Sequence, residues 1–290
     1  MLDLHCHSTA SDGVYTPEEL ATIGYEKHLT ALAVTDHDTL DGLRRFMART
    51  DELAAVLGRR PFLPVAGIEF STLNVDGQRM HLLGLFVDPE NAPLQEAALR
   101  NVRWRDERNL EILDKLTSHG MPLTLEDARR QCPGNVLGRP HIAAAMAAKG
   151  YCANTHDAFI RFLGCGCPCH AKRQTLSLTE CITLIHQASG LAFWGHPFSR
   201  ANLTYSHFCE LLGRLYMLGL DGVEAYHPAH SYTQTNNVLR AARERGMLCS
   251  GGSDSHGPRF ANQHVGEGNG TLHVPDSLLK PMLQRLEGNA

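Results

Sequence analysis

Seven short apolar runs recur along this chain, and almost every one carries a histidine or a carboxylate at its end. They span residues 1–7, 29–36, 62–70, 79–86, 190–197, 220–228 and 247–254. Several are nearly continuous in apolar residues, as strands covered on both faces must be. Helical patterns separate most of them. Thr16-Pro17-Glu18-Glu19 reads as an N-cap, a proline at the first helical position and a capping-box glutamate. Ser177 with Glu180 reads as a second capping box, with Gly190 closing that helix. Strand–helix alternation of this kind predicts a parallel α/β fold, a barrel of seven strand–helix units.

One region breaks the alternation. Residues 93–119, 124–131, 139–149 and 154–163 show helical patterns with no strand between them. The fold class expected is therefore α/β, a distorted (β/α)7 barrel with an inserted small helical subdomain. Residues 1–89 and 167–290 would form the barrel, and residues 90–166 the insertion, which would contribute to the substrate pocket.

The ends of the runs carry the chemistry. The first supplies His5 and His7, two residues apart and so on one face. Asp12 follows in the next loop, then His37 between Asp36 and Asp38, Glu69, His81, His196, Glu224 with His227, and finally Asp254 and His256. Ligands of parallel α/β folds bind outside the carboxyl ends of the strands, so these scattered positions would converge. Any one histidine of this kind is more often structural. Six imidazoles and three carboxylates in series are too many for one ion, and imply two or three.

At this point the residues resemble a known family. LHCHSTASDG is similar to the first motif of the PHP (polymerase and histidinol phosphatase) family, TDHD to its second, GHP to its third and GSDSH to its fourth. The resemblance covers about residues 1–88 and 167–275. Within the family it points to stand-alone phosphoesterases with a helical insertion, the 3′,5′-nucleotide bisphosphate phosphatases and the enzymes that trim RNA from its 5′ end. It implies a trinuclear site. His5, His7, Glu69 and Asp254 would hold one metal, Glu69 would bridge to a second completed by His81 and His196, and Asp12, His37 and His256 would hold a third. Imidazole and carboxylate without thiolate suit Mn²⁺, Fe²⁺ or Zn²⁺, with Mn²⁺ favoured.

The resemblance implies hydrolysis of a phosphate ester by a hydroxide formed at the ions. Asp254 and His196 would serve that chemistry as well as ligation, and His227 is a candidate proton donor, although a structural role suits it too. Arg139 and His141 match positions where such relatives bring phosphate-binding residues. Arg200 and Lys172 are further substrate candidates, with Arg173 beside Lys172. Asp36, Asp38 and Glu224 are expected to orient ligating histidines. Arg100, Arg103, Arg105 and Arg108 read first as a solvated helix face, and second as an RNA-contacting one. Cys165, Cys167 and Cys169 replace a segment that is usually basic and aromatic in relatives, and show no Cys-x-x-Cys zinc spacing.

Composition limits the partners. The net charge of −4 argues against a general grip on double-stranded DNA. No run of eighteen apolar residues suggests a membrane span. Nine cysteines, with no secretory pattern at the start, suggest reduced thiols in the cytoplasm. The substrate expected is a phosphorylated nucleotide or a short RNA. Histidinol phosphate is the alternative within phosphatases, and a non-catalytic metal-binding module the alternative outside enzymes. Amide hydrolysis through a carbamylated lysine is disfavoured, because none of Lys27, Lys115, Lys149, Lys172 and Lys280 ends a strand-like run.

Overall fold

The structure is a computed structural model that describes residues 1–199, 203–258 and 263–289. Among the described residues the strands are β1 (Leu2–Asp3), β2 (Ala31–Val34), β3 (Leu63–Leu73), β4 (Arg79–Leu85), β5 (Leu191–Trp194), β6 (Gly222–Tyr226) and β7 (Leu248–Gly251). They form one sheet in sequence order. The sheet curls until its edges meet. Leu4 N donates to Gly251 O at 3.0 Å, and His7 N to Ser255 O at 2.9 Å.

The barrel is not uniformly parallel. β4 runs antiparallel to both β3 and β5. Its reversal follows from a tight hairpin, in which the Asn74 side chain accepts from the backbone N–H groups of Asp76 and Gln78 and Gly77 takes a φ of +74°. Expecting every strand to be parallel missed this turn. The reversal matters for the site, because the start of β4, where His81 sits, lies with the carboxyl ends of the other strands.

Alternation explains the apolar runs. Leu2, Ala31, Ala33, Val65, Leu83, Leu191 and Phe193 fill the barrel interior. Leu32, Val34, Ile68, Leu82, Ala192 and Trp194 face the surrounding helices. Both faces are buried, so both sets are apolar. The covering helices include α1 (Pro17–Glu26), α2 (Leu43–Leu57) and, after the insertion, α7 (Leu178–Gln187), α8 (Tyr205–Met217), α9 (Tyr232–Glu244) and α10 (Leu279–Asn289). Thr16 and Glu19 form the complete capping box of α1. Ser177 caps α7 from one side alone, because Glu180 pairs instead with Arg100. Ser189, at φ +59°, makes the left-handed step after α7 that the sequence pattern assigns to Gly190.

The insertion comprises α3 (Ala92–Ser118), α4 (Leu125–Arg129), α5 (Arg139–Ala148) and α6 (Thr155–Ala158), which runs on into one π-helical turn, Phe159–Leu163. Its apolar contacts divide at the middle of α3. Leu94, Ala97 and Ala98 belong to the barrel core. Ile112, Leu116, Leu137, Met146, Leu163 and Ala171 make a separate core. The subdomain's own packing therefore runs from about residue 112 to 171.

Candidate metal centre

The site is built from strand ends around Glu69. This side chain is 1% exposed. Its two oxygens lie 2.7 Å from His37 Nδ1, 2.7 Å from His81 Nδ1, 3.1 Å from His196 Nε2, 3.3 Å from His7 Nε2 and 3.4 Å from His5 Nε2. The backbones of His37 and Glu69 are bridged, which fixes β3 against the segment following β2. Asp254 Oδ1 lies 3.2 Å from His7 Nε2, and Asp12 Oδ1 lies 3.4 Å from His256 Nε2.

Among the described residues, potential ligand atoms collect into four groups. These are His7, Asp12, His37 and His256; His5, His7 and Asp254; His5, Glu69 and His196; and His37, Glu69 and His81. Within each group the atoms lie within 4.8 Å of one another.

Three observations fit these groups to divalent ions. First, His7 Nδ1, Asp12 Oδ1, His37 Nδ1 and Glu69 Oε2 are buried with no hydrogen-bond partner among the described residues. Four such atoms in one place would be costly without an added partner. Second, the outward nitrogens of three histidines are already held. His5 Nδ1 donates to Glu224 Oε1 at 3.0 Å, His256 Nδ1 to the Asp254 carbonyl at 2.9 Å, and His196 Nδ1 pairs with Ser199 Oγ at 2.9 Å. Each inward Nε2 is thereby aimed at the centre, as in metal-ligating histidines. Third, the charges are unbalanced. Burial opposes ionisation, yet the surrounding imidazoles hold the Asp12, Glu69 and Asp254 carboxyls well below their usual range. Burial also opposes protonation of His256, but the charges of Asp12 and Asp254 raise it to about 10. Burial, with His256 and His37 beside it, drops His7 to about 3. The three anionic carboxylates thus draw a proton onto neighbouring imidazoles such as His256, positive charge that divalent ions would supply in its place.

Local backbone serves this arrangement. Asp38, His196 and Asp254 all take positive φ, at 57°, 28° and 51°. Non-glycine residues in this region concentrate at functional sites. Gly252 allows the close approach of β1, since a Cβ there would lie 2.4 Å from His5 N.

The supporting carboxylates divide unexpectedly. Glu224 orients histidines, since its Oε2 also accepts from the His196 backbone N–H at 2.6 Å. Asp36 and Asp38 do not. Asp36 accepts from Ser8 N, Ser8 Oγ and Ser11 Oγ at 2.8, 2.6 and 2.5 Å, and so shapes the loop bearing Asp12. Asp38 accepts from Ser71 N at 3.0 Å, Asn101 Nδ2 at 3.1 Å, Arg173 at 2.9 Å and Arg105. Both aspartates spend their acceptors on loop and guanidinium donors, and among the described residues neither hydrogen-bonds an imidazole.

The arginines of α3 also differ from the sequence expectation. Arg103 is exposed, as a solvated face requires, and Arg100 lies against Trp104. Arg105 and Arg108 instead line a cavity of about 630 Å³ that opens from Asp12, His37 and His81. Arg79, Arg139, His170, Lys172 and Arg173 line it too. Arg139 reaches Leu163 O at 3.3 Å and lies over the Phe159 ring. His141 Nδ1 accepts from Gly138 N at 3.0 Å. Cys165 reaches the same cavity, whereas the Cys167 thiol bonds Ile160 O at 3.1 Å and Cys169 is buried. Arg200 lies outside the described residues. The insertion touches the loop bearing Asp12 directly, since Asn135 N donates to Thr9 O and Val136 N to Ser11 O.

His227 is buried beside this centre. Its Nδ1 accepts from Ala229 N at 3.1 Å, so the proton of the neutral ring sits on Nε2, 3.2 Å from Asp254 Oδ2.

A family model of the PHP domain matches residues 3–151, just over half the chain. The chain belongs to the PHP-domain family. Relatives of this PHP protein extend the match. A 5′-3′ exoribonuclease of Haemophilus influenzae is 33% identical over 88% of this chain and 90% of its own length. A 3′,5′-nucleoside bisphosphate phosphatase of Chromobacterium violaceum is 29% identical over 99% and 96%. A solved structure from Bifidobacterium adolescentis, provisionally described as a metal-dependent phosphoesterase, superposes with a TM-score of 0.80 at 26% identity, covering 98% of this chain and 96% of that one. The PHP protein is a metal-dependent phosphoester hydrolase on a distorted, nearly closed barrel. No helix among the described residues is long and apolar enough to cross a membrane.

Proposed function

We propose that this PHP protein hydrolyses a phosphate ester of a 3′,5′-bisphosphorylated nucleotide, or trims nucleotides from the 5′ end of short RNA. The observation that carries this reading is the basic cavity continuous with Asp12, His37 and His81. A small uncharged leaving group would need no such wall. The names of the relatives support the same substrate class.

Two or three divalent ions, with Mn²⁺ favoured, would be held by His5, His7, Asp12, His37, Glu69, His81, His196, Asp254 and His256. When bound, such ions acidify water and neutralise charge on phosphate. The protein's own groups do the rest. Glu224 and Ser199 keep His5 and His196 in the ligating orientation. His227, whose Nε2 lies beside Asp254, would give the leaving oxygen its proton. Arg139, His141, Lys172 and Arg200 would steer the substrate, and the insertion of residues 90–166 would close the pocket. We place the protein in the cytoplasm, where its nine unpaired cysteines would stay reduced.

Purified protein loaded with Mn²⁺ should be assayed on adenosine 3′,5′-bisphosphate, 5′-phosphorylated oligoribonucleotides and histidinol phosphate. Higher kcat/KM on either nucleotide substrate supports the reading. A clear preference for histidinol phosphate rejects it.

A further inference from the structure

The segment that ends the insertion carries thiol chemistry that the metal centre does not use. Gly164, Cys165, Gly166 and Cys167 form a tight turn, in which Cys167 N donates to Gly164 O at 3.0 Å. Gly166 takes a φ of +82° and Cys165 no positive φ, which makes it a type II turn with glycine where that type demands it. Two steps along even an extended chain span only about 7 Å. The bend at Gly166 brings the Cα atoms of Cys165 and Cys167 inside that span, into the range of roughly 4.4–6.8 Å that a disulfide bridges.

The two thiols have different surroundings. Among the described residues Cys165 alone is an exposed cysteine, and it lines the cavity together with Arg139 and Lys172. A small disulfide that bears carboxylates would be drawn to that basic wall. Cys167 is half-buried, and its thiol donates to Ile160 O at 3.1 Å, within the π-helical turn Phe159–Leu163. The last carbonyls of a helix lack a backbone donor, so this thiol fills a place in the turn. Cys169 is fully buried in the insertion's own core, where burial pushes its thiol up, and it serves packing.

The same turn holds Arg139. Its guanidinium donates to Leu163 O at 3.3 Å and lies over the Phe159 ring. Contacts therefore run unbroken from the Cys167 thiol, through the π-helical turn, to the cavity wall. Drawing the Cys167 sulfur toward Cys165 takes its hydrogen bond away from the turn.

We propose that Cys165 and Cys167 form a reversible redox site, which closes to a disulfide on reaction with a small-molecule disulfide and loosens the Arg139 wall. The Cys165 thiolate attacks one sulfur of the small disulfide, forming a mixed disulfide and releasing the first thiol. The Cys167 sulfur then gives up its proton and attacks the Cys165 sulfur, which forms the Cys165–Cys167 bond and releases the second thiol. Two protein thiols are oxidised, one small disulfide is reduced, and both protons end on the released thiols. An exposed bridge in so small a ring is of the labile, regulatory kind, the kind found in chains otherwise kept reduced. The bond stands apart from the nucleotide reading, and only its effect on KM rests on that reading.

The test incubates Mn²⁺-loaded protein with oxidised glutathione, blocks the remaining thiols with iodoacetamide and maps the peptides by tandem mass spectrometry. In wild type, residues 165 and 167 should escape alkylation and together lose two hydrogens. Cys167→Ser lacks the second thiol and should trap the mixed disulfide on Cys165. KM for adenosine 3′,5′-bisphosphate should rise roughly 3- to 10-fold in the bridged protein, the worth of one hydrogen bond. Its kcat should stay within about twofold, and dithiothreitol should restore KM. Cys165→Ser should show no change in KM between treated and untreated samples. Free thiols at both positions, a bond to any other cysteine, or a mixed disulfide that persists in wild type would overturn the site. Should wild type not turn over the bisphosphate, the nucleotide reading fails while the mass map still decides the bond. Hydrogen exchange across residues 159–163 then decides the coupling. Faster exchange in the bridged protein upholds it, and unchanged exchange removes it.

Discussion

Oε2 of Glu69 lies 2.7 Å from Nδ1 of His37, and neither atom makes a hydrogen bond among the described residues. Two strong polar atoms that close, buried and misaligned share a target rather than each other. Glu69→Gln keeps the shape and removes the charge. Groups that merely orient ligands cost 10- to 100-fold in metal affinity when changed, so this variant should lose at least about 100-fold. Equilibrium dialysis with elemental analysis reads the metal content directly. Full occupancy at wild-type metal concentration would show that Glu69 is not a ligand.

Asp38 anchors two arginines without being a ligand itself. Asp38→Asn suits the left-handed backbone there, since asparagine tolerates positive φ. The charge is lost, and Arg105 and Arg173 remain buried without their counter-ion. Breaking a buried pair in this way costs about 3–5 kcal/mol. Urea unfolding of the metal-free protein should show that loss. A change under about 1 kcal/mol would mean that water replaces the aspartate.

His230 is a neutral-ring lock behind the site. Its Nδ1–H donates to Ala225 O at 3.0 Å, and its Nε2 accepts from Phe198 N at 3.3 Å. Burial lowers its pKa to about 4. In the unfolded chain it would titrate near 6.5. Between these values the unfolded state takes up a proton that the folded state refuses. Its contribution is thus complete above about pH 6.5 and drains away as pH falls toward 4, by up to about 3 kcal/mol. The stability curves of wild type and His230→Gln should converge as pH falls from 7.5 to 4.5. Curves that stay parallel would contradict the assignment.

The insertion meets the Asp12 loop at Gly134. A Cβ there would lie 2.2 Å from the Ser11 carbonyl oxygen. Gly134→Ala should push the 134–136 segment off that loop and disturb Asp12, costing about 1–3 kcal/mol as overpacking does. The group formed by His7, Asp12, His37 and His256 should lose its metal before the others. A substoichiometric metal count with the remaining ions still bound is the expected readout, and an unchanged count would refute the coupling.

Much of this was legible because ligand types and strand ends coincide. His5, Glu69 and His196 stand where apolar runs stop, and the barrel delivers such positions to one place. The reversal of β4 was written in Asn74 to Gly77, a turn signature that strand counting passed over. The arginines of α3 were harder. Charged neighbours at Glu107 and Glu111 made the helix look solvated, yet Asn101, Arg105 and Arg108 fall on a single stripe. A stripe of long cations and amides within an insertion is a cue to look for a facing cavity. The roles of Asp36 and Asp38 could not be read from spacing, because the partners of each come from distant segments.

The reversed fourth strand sets a length requirement on the helix after it. β4 delivers the chain to the face remote from the ligands, where Asn91 Nδ2 bonds Gln187 O just ahead of β5. Arg105 is thirteen residues into α3, a climb of roughly 20 Å at helical rise. The helix is thus a ruler, and its first half measures barrel height. Removing one turn would drop both guanidiniums about 5 Å below their station, so tuning of this pocket by evolution or by design must act beyond Arg108, where length is free to vary.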